Sequence, residues 1–471
     1  MVWCVVSKLI VAVAAWLRTT YPNANLVIKD YGIGGCASQC LVAPSEHDIY
    51  PFYPDLVIFH VYGSNTDYET IVRTTRERTT AEMLLQTDHF TGDDSWSDQM
   101  SYTFIPQYAN TYQCGIANIR DPWKRYLTAN SYQPSQLLSD DVHLNAQGNY
   151  LMAALIERNL AYKSTLAADP NGLVKEYHVG TDAAWQSGTL AMRFAGNRVD
   201  VVFDNTGAAG TRATVLVDGA RPSTNAGCYS FTRPNGAFGA EWIDDPLGKD
   251  WPWETGAIMR VTSNAQRLVE DWTVTITRFA SGTDFSFSVA GTRTGADGSG
   301  SYSGTDPFVS TSRRVVIRRA DWWLANLIDT SISVGHTIKW SAAGNFADTV
   351  VAPSMTDPAT EYTVTLAQGL TNADHQLTLT ALGATVPIKA IRVYRPFYNR
   401  ASSTVPDPLP VAVQRAAGPV ARAMPASRGL DAAVRYDLRG RRTAAPRVGQ
   451  AGVFLVAGQP CARARADVSV R

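Results

Sequence analysis

Apolar and polar positions follow two different rhythms along the chain. In the first part, Val5, Leu9, Ile10, Val13, Trp16 and Leu17 recur at helical spacing and predict a helix over Val2–Arg18, ended by Tyr21-Pro22. Short apolar runs predict strands at Asn25–Lys29, Asp55–Val61, Ala81–Thr87 and Gly115–Ile119. Helical periodicity between and after them predicts helices over Asp67–Arg78, Tyr102–Cys114 and Ala146–Ala161. The Asp55–Val61 run is almost wholly apolar, as a strand covered on both faces must be. Strands alternating with helices predict an α/β domain, a parallel sheet with helices on either side, over residues 1–162.

After about Tyr162 the rhythm changes to period two. Runs at Thr189–Phe203, Ala213–Asp218, Trp272–Phe279, Phe285–Val289, Arg314–Arg318, Thr337–Trp340, Tyr362–Leu366, Leu377–Leu382 and Ile388–Tyr394 are separated by Gly, Asn, Asp and Pro. This predicts a β-sandwich, jelly-roll-like region over 163–400, one large unit or two small ones with a break near Ala320. The remainder differs again. Residues 401–471 hold 11 Arg against 4 Asp, with no Lys or Glu, and seven Pro, so a net charge of +7 is confined to this stretch. It divides into a Pro/Ala/Arg-rich linker, 401–430, and a small C-terminal module, 431–471.

Over the full 471 residues, 42 basic and 42 acidic side chains balance, which argues against a general nucleic-acid binder. The longest apolar run, Leu9–Leu17, is too short to span a bilayer, so no membrane span is expected. The opening helix lacks a basic stretch ahead of its apolar positions and is read as structure rather than as a signal peptide; any export signal would lie upstream of Met1. Cys36 and Cys40 are not spaced as a zinc pair. A disulfide between them and two buried thiols are both open. No metal set and no phosphate-cradling loop emerges, so no cofactor is expected.

Candidate chemistry clusters where parallel sheets place their sites, at the strands' C-terminal ends. Gly32-Ile33-Gly34-Gly35 follows the first predicted strand, where backbone N–H groups can approach a developing oxyanion. Tyr62-Gly63-Ser64-Asn65 ends the Asp55–Val61 strand, and Asn65 there can donate a second hydrogen bond. Asp140-Asp141-Val142-His143-Leu144-Asn145 precedes the last helix, where an acid three residues before a His can orient one imidazole nitrogen while the other serves as base. Asn65, Asp140 and Asn145 also suit turns and helix caps. Tyr62, Asp88 and His89 sit where they could line a pocket. Glu46-His47-Asp48 looks ligand-like, although such loop clusters are usually solvated.

In this order, the three blocks resemble the SGNH (GDSL-type) hydrolase superfamily over Trp3–Leu160. The resemblance implies a three-layer α/β/α domain, with the Gly35 N–H and Asn65 as oxyanion donors, His143 as general base and Asp140 as its orienting acid. Asp140 is preferred to Asp141 because the family spacing is Asp-x-x-His. The family's nucleophile is a Ser in a Gly-Asp-Ser block on a strand before the opening helix, and no Gly-Asp-Ser occurs here. Gly92-Asp93-Asp94-Ser95 is the nearest string, in a loop where a nucleophile does not belong. The expectation is therefore that the nucleophile strand is missing from this chain, with Ser38 and Ser64 the only substitutes considered.

Eight of the 12 Trp lie between Trp185 and Trp340, so the β region, which resembles accessory modules of such enzymes, has aromatic residues that could stack on sugars. Tyr436-Asp437-Leu438-Arg439-Gly440-Arg441-Arg442 followed by Gly452-Val453-Phe454-Leu455-Val456 looks like the C-terminal sorting domains of some Gram-negative secreted enzymes. That resemblance implies export by a secretion machinery to the cell surface or medium. The expected function is a serine esterase removing O-acetyl groups from a polysaccharide, weak or inactive without its Ser. The alternative is a secreted carbohydrate-binding or adhesion protein whose α/β domain is a catalytically dead remnant.

Overall fold

The computed structural model describes residues 6–32, 37–92, 94–160, 172–234, 258, 260–262, 267–322, 333–357, 359–398 and 450–458. The first part is the expected alternation. It comprises α1 (Val6–Thr20), β1 (Asn25–Asp30), α2 (Ser38–Phe52), β2 (Leu56–Val61), α3 (Asn65–Arg78), β3 (Glu82–Gln86) and α4 (Ser95–Gln99). A π-helical turn at Met100–Phe104 leads into α5 (Ile105–Tyr112), and β4 (Gly115–Ala117), α6 (Arg120–Asn130) and α7 (Ala146–Glu157) follow. Leu56 and Ile58 of β2 join Leu9, Val13, Leu17, Trp123 and Met152 on one face of the sheet. Val57, Phe59 and Val61 join Leu41, Tyr50, Ile71 and Tyr108 on the other. This period-two division of a fully buried strand packs helices on both faces.

Three helices fall outside the helical periodicity of the sequence: α2, α4 and α6. Helix α2 contains Pro44 and Pro51, each of which removes a backbone donor from a helix interior. Tertiary burial of Leu41, Ile49 and Tyr50 compensates for that local cost. Arg76 of α3 is fully buried and donates to the carbonyls of Tyr112, Ala81 and Gln113, tying α3 to the end of α5 and to the entry of β3.

The β region is built from two sheets that interleave in sequence. One contains β5 (Val174–His178), β6 (Trp185–Gln186), β7 (Thr189–Phe203), β8 (Arg212–Val217), β16 (Thr349–Val351), β17 (Thr363–Ala381) and β18 (Ile388–Tyr394), so it joins both ends of the region. The other is built from the middle, with β9 (Tyr229–Phe231), β10 (Asp271–Ser281), β11 (Asp284–Gly291), β12 (Gly295–Ser301) and β15 (Thr337–Gly344). A two-stranded ladder of β13 (Phe308–Val309) and β14 (Val316–Ile317) stands beside them. Each large sheet has its own apolar core. The boundary expected near Ala320 falls inside the middle segment, and the two predicted strands Tyr362–Leu366 and Leu377–Leu382 belong to the single long strand β17.

In the C-terminal stretch the described residues form β19 (Gln450–Gly458), covering the apolar run seen in the sequence. Rather than standing in a separate module, β19 enters the parallel sheet, whose order is β1-β19-β2-β3-β4. It pairs in parallel with β1 from Asn25 to Asp30 and with β2 from Leu56 to Val61. The linker 401–430 lies outside the described residues.

The β region is attached along α2. Gln368 Nε2 donates to Pro51 O at 2.8 Å and Tyr53 OH to Asn197 Oδ1 at 2.6 Å. Asp48 accepts from Arg233 Nε at 2.9 Å in a buried ion pair. The Arg233 guanidinium overlies the Tyr31 ring at 5.9 Å, so these contacts run up to the exit end of β1. Glu46-His47-Asp48 is therefore an interface element rather than a solvated cluster, with Glu46 paired to Arg78 at 2.5 Å.

The His47 ring shows what that burial costs. Nδ1 donates to Phe231 O at 2.9 Å and Nε2 accepts from Val261 N at 3.3 Å, so the ring is held neutral. Burial, beside the Arg233 and Arg260 charges, lowers its pKa from the ordinary 6.5 to about 4. Between those values the unfolded chain binds a proton that the folded chain does not. The stability contributed is complete above the unfolded pKa and is lost as pH falls toward the folded one, about 3 kcal/mol in all. Urea unfolding at pH 7 and pH 4.5 is expected to show this loss on top of the general acid effect. His47→Gln, which keeps one donor and one acceptor without titrating, is expected to remove that part of the difference.

Candidate active site

The loop between α6 and α7 carries the geometry foreseen for a base and its orienting acid. Leu138 and Leu144 form an antiparallel bridge, Ser139 N donates to His143 O at 2.7 Å, and Asn145 N donates to Leu137 O at 3.0 Å. Asn145 then caps α7 by accepting from Gly148 N at 3.0 Å, while its Nδ2 donates to Gln136 O at 2.8 Å. Gly148 is required here, because a Cβ at this position would lie 2.2 Å from Leu137 O.

Within that frame Asp140 Oδ1 accepts from Val142 N at 2.8 Å and His143 N at 2.7 Å, and Oδ2 accepts from His143 Nδ1 at 2.6 Å. Partial burial works to raise the Asp140 pKa, but the two amides and the imidazole outweigh it and hold the carboxyl below its ordinary value. The ionised carboxylate fixes the hydrogen on Nδ1, the tautomer in which Nε2 is the basic nitrogen. The imidazole is buried, and Asp141 is exposed. Asp140 makes the contact, not its neighbour.

The turn after β2 sits at the same end of the sheet. Gly63 adopts a φ of +113°, and a Cβ there would meet Gln39 Oε1 at 2.4 Å and Ala37 Cβ at 2.7 Å. Ser64 caps α3 by accepting from Asp67 N at 3.3 Å. Asn65 opens α3, with Nδ2 3.5 Å from Tyr108 OH, whose hydroxyl donates back to Asn65 O at 3.2 Å. After β1, Gly32 N donates to Asp30 Oδ1 at 2.9 Å. Gly35 lies outside the described residues, as does Cys36. Cys40 is disulfide-bonded to a partner outside them.

The serines considered as substitutes are engaged in structure. Ser38 is buried, with its hydroxyl donating to Ser64 O at 2.7 Å and its N–H to Tyr62 O at 2.7 Å. Ser64 is the α3 cap. Ser95 is the first residue of α4, behind its cap Asp94.

Tyr62, Asp88 and His89, expected at a pocket, lie in the interior beneath the strand exits. Asp88 accepts from Tyr62 OH at 2.5 Å, Ser97 Oγ at 2.9 Å and, more distantly, His60 Nε2 at 3.4 Å. Burial would raise its pKa, but His89 and His60 hold it far below the usual carboxylate range. Trp96 stacks on the Tyr62 ring at 5.2 Å. His60, Trp96 and Ser97 were not singled out from the sequence. Only His60 leaves a trace there, as a polar ring in an otherwise apolar strand. Among the described residues no group of three or more His, Cys, Asp or Glu could hold a metal ion, and no helix is long and apolar enough to cross a membrane.

No family model and no curated protein matches this chain. Solved structures show a loose likeness. A two-domain esterase active on acetylated mannans, co-crystallised with mannopentaose, is 15% identical over 82% of this chain and 85% of its own, with a TM-score of 0.29. An acetylxylan esterase from Geobacillus stearothermophilus is 18% identical over 32% of this chain and 80% of its own, with a TM-score of 0.27. A gut microbial diltiazem-metabolizing enzyme is 11% identical over 62% and 66%, with a TM-score of 0.26. At these scores the likeness bears no weight, and the site is argued from its own geometry.

Gly148→Ala is expected to force the start of α7 away from Leu137 and to lower stability by about 1–3 kcal/mol, read by chemical denaturation. Ala at the exposed neighbouring position Gln147 should leave stability within about 0.5 kcal/mol.

Proposed function

We propose that the chain belongs among ester hydrolases of the SGNH type and that its α/β domain is built to remove acyl groups, with O-acetylated polysaccharide as the substrate class. The observation that carries this reading is the Asp140–His143 pair, held by its own loop at the exit end of a parallel sheet. In this reading His143 Nε2 takes the proton from the attacking hydroxyl and returns it to the leaving alcohol, and then activates the water that releases the acid. Asp140 stays ionised throughout and stabilises the imidazolium. Asn65, with the backbone N–H of Gly35, donates to the oxyanion. The aromatic-rich β region, docked along α2 toward the same end, is the part of the chain suited to meet a sugar polymer. Export by a secretion machinery fits that substrate.

The nucleophile of that mechanism, a Ser within Gly-Asp-Ser, has no counterpart in this sequence. Loss of such a Ser costs on the order of 10⁶ in rate. The chain as written is therefore expected to hydrolyse p-nitrophenyl acetate no faster than about background, whereas a version with a Gly-Asp-Ser strand added ahead of α1 gains activity that His143→Ala abolishes. An added strand competes for the position beside β1 that β19 holds, so the assay is run with and without residues 450–458. Activity of the chain as written that survives His143→Ala would refute the assignment of the base.

A further inference from the structure

We propose that Asp88 and His89 form a positioning device that sets the base loop and the oxyanion turn from one buried carboxylate. This rests on the ester-hydrolase reading of His143 and Asn65, and it assigns roles to two residues that take no part in the chemistry itself. Both follow β3, and both are buried, His89 completely.

The geometry runs in two directions from Asp88. On one side Tyr62 OH donates to Oδ1 at 2.5 Å, and Tyr62 is the residue directly before the Gly63-Ser64-Asn65 turn. On the other, His89 Nδ1 lies 3.0 Å from the same Oδ1, and His89 Nε2 lies 3.1 Å from Val142 O. A carbonyl can only accept, so Nε2 carries the hydrogen and donates it to the residue between Asp140 and His143. Val142 is thereby held from both ends of its peptide framework: its N–H by Asp140 Oδ1 and its carbonyl by His89.

The His89 ring is itself braced. Arg120, buried on α6, donates from Nη1 to His89 O at 2.7 Å and from Nε to Asp98 at 2.6 Å. The Trp123 indole covers the imidazole at 5.3 Å between ring centres. Thr87 Oγ1 accepts from Ile119 N at 2.8 Å and Arg120 N at 3.1 Å, fixing the strand exit against the start of α6. A loop whose orienting acid is half exposed would otherwise be free to swing. A hydrogen bond from a fully packed ring to its central carbonyl removes that freedom. Misplacing a catalytic group by about 1 Å can cost on the order of 100-fold in rate.

The test reads the loop directly and does not require catalysis. The Nδ1 proton of His143, bonded to Asp140 at 2.6 Å, is followed by NMR on the full chain labelled at histidine, with its signal assigned by His143→Ala. In His89→Phe, which keeps an aromatic ring against Trp123 and removes the donor, exchange of that proton is expected to quicken at least about tenfold. His89→Gln, whose side-chain amide can donate to Val142 O, is expected to stay within about twofold of the wild type. Should His89→Phe fail to fold, His89→Met, which also offers no donor, takes its place. Exchange at the wild-type rate in the folded donor-free variant, or exchange in His89→Gln as fast as in that variant, overturns the proposal. In the version carrying a restored nucleophile, the donor-free variant should lower kcat about tenfold or more, with KM within about twofold. Esterase silence there, with the exchange pattern intact, counts against the ester-hydrolase reading and leaves the positioning device standing.

Discussion

A strand inside a parallel sheet must have both of its edges paired, because every unpartnered backbone N–H or C=O in a dry interior costs about as much as a lost hydrogen bond. The connection through α2 carries the chain from β1 to β2 but leaves one strand position between them. That position is filled from more than 400 residues away, by Gln450–Gly458. The pairing is complete on both sides, six residues against β1 and six against β2. Everything that follows the exits of β1, β2 and β3 inherits its spacing from this arrangement. The two strands that bear the glycine turn and the Asn65 turn stand one full strand apart, and β19 ends between them.

From that frame the site is assembled by local devices of increasing specificity. Gly63 lets the turn after β2 close against Ala37 and Gln39. Gly148 lets α7 start against Leu137. Asn145 and Asp140 then spend their side chains on backbone amides, so the loop that presents His143 is cross-braced before any tertiary contact is made. The Asp88–His89 pair adds the tertiary contact. Its carboxylate stays ionised in the interior because several donors surround it, and the same donors belong to the elements that need alignment. A buried charge of this kind is costly to leave unpaired, which makes it an effective constraint on the groups that pair with it.

The periodic parts of this architecture were legible from the sequence. β7 and β18 fall on the predicted residues, and β2 was recognised as a covered strand from its unbroken apolar run. The His143 loop was legible because its contacts are short in sequence: Asp140, Val142, His143 and Asn145 interact with one another. What escaped was set by distance along the chain. Helix α2 carries two prolines and little periodicity, and its burial against β2 and the β region decides its conformation. The interleaving of the two antiparallel sheets cannot be read from strand rhythm, because alternation reports a covered face and not which strand covers it. The sharing of Asp88 among β2, β3 and α4 belongs to the same category. The apolar run of the C-terminal stretch was visible as a strand, while its partners, β1 and β2, were not.

An aspartate bonded to a histidine is not by itself a catalytic signature, and this chain supplies the comparison. His375 Nδ1 lies 2.7 Å from Asp218, nearly the same distance as in the Asp140–His143 pair, and both aspartates are about half exposed. Asp218 also accepts a backbone amide, from Gln376, much as Asp140 does from His143. The difference lies on the other side of the ring. His375 Nε2 faces Thr371 O at 2.9 Å within the bulged middle of β17, so both of its nitrogens meet acceptors and neither is available to take a proton. That pair is a clamp on an antiparallel strand. The His143 ring instead stands on a loop at the exit of a parallel sheet, with its main chain gripped by Asp140, Ser139 and, through Val142, His89. Place in the fold, more than the presence of the dyad, therefore separates a base from a structural histidine here, and the same reasoning removes His47, whose two nitrogens are committed to Phe231 and Val261.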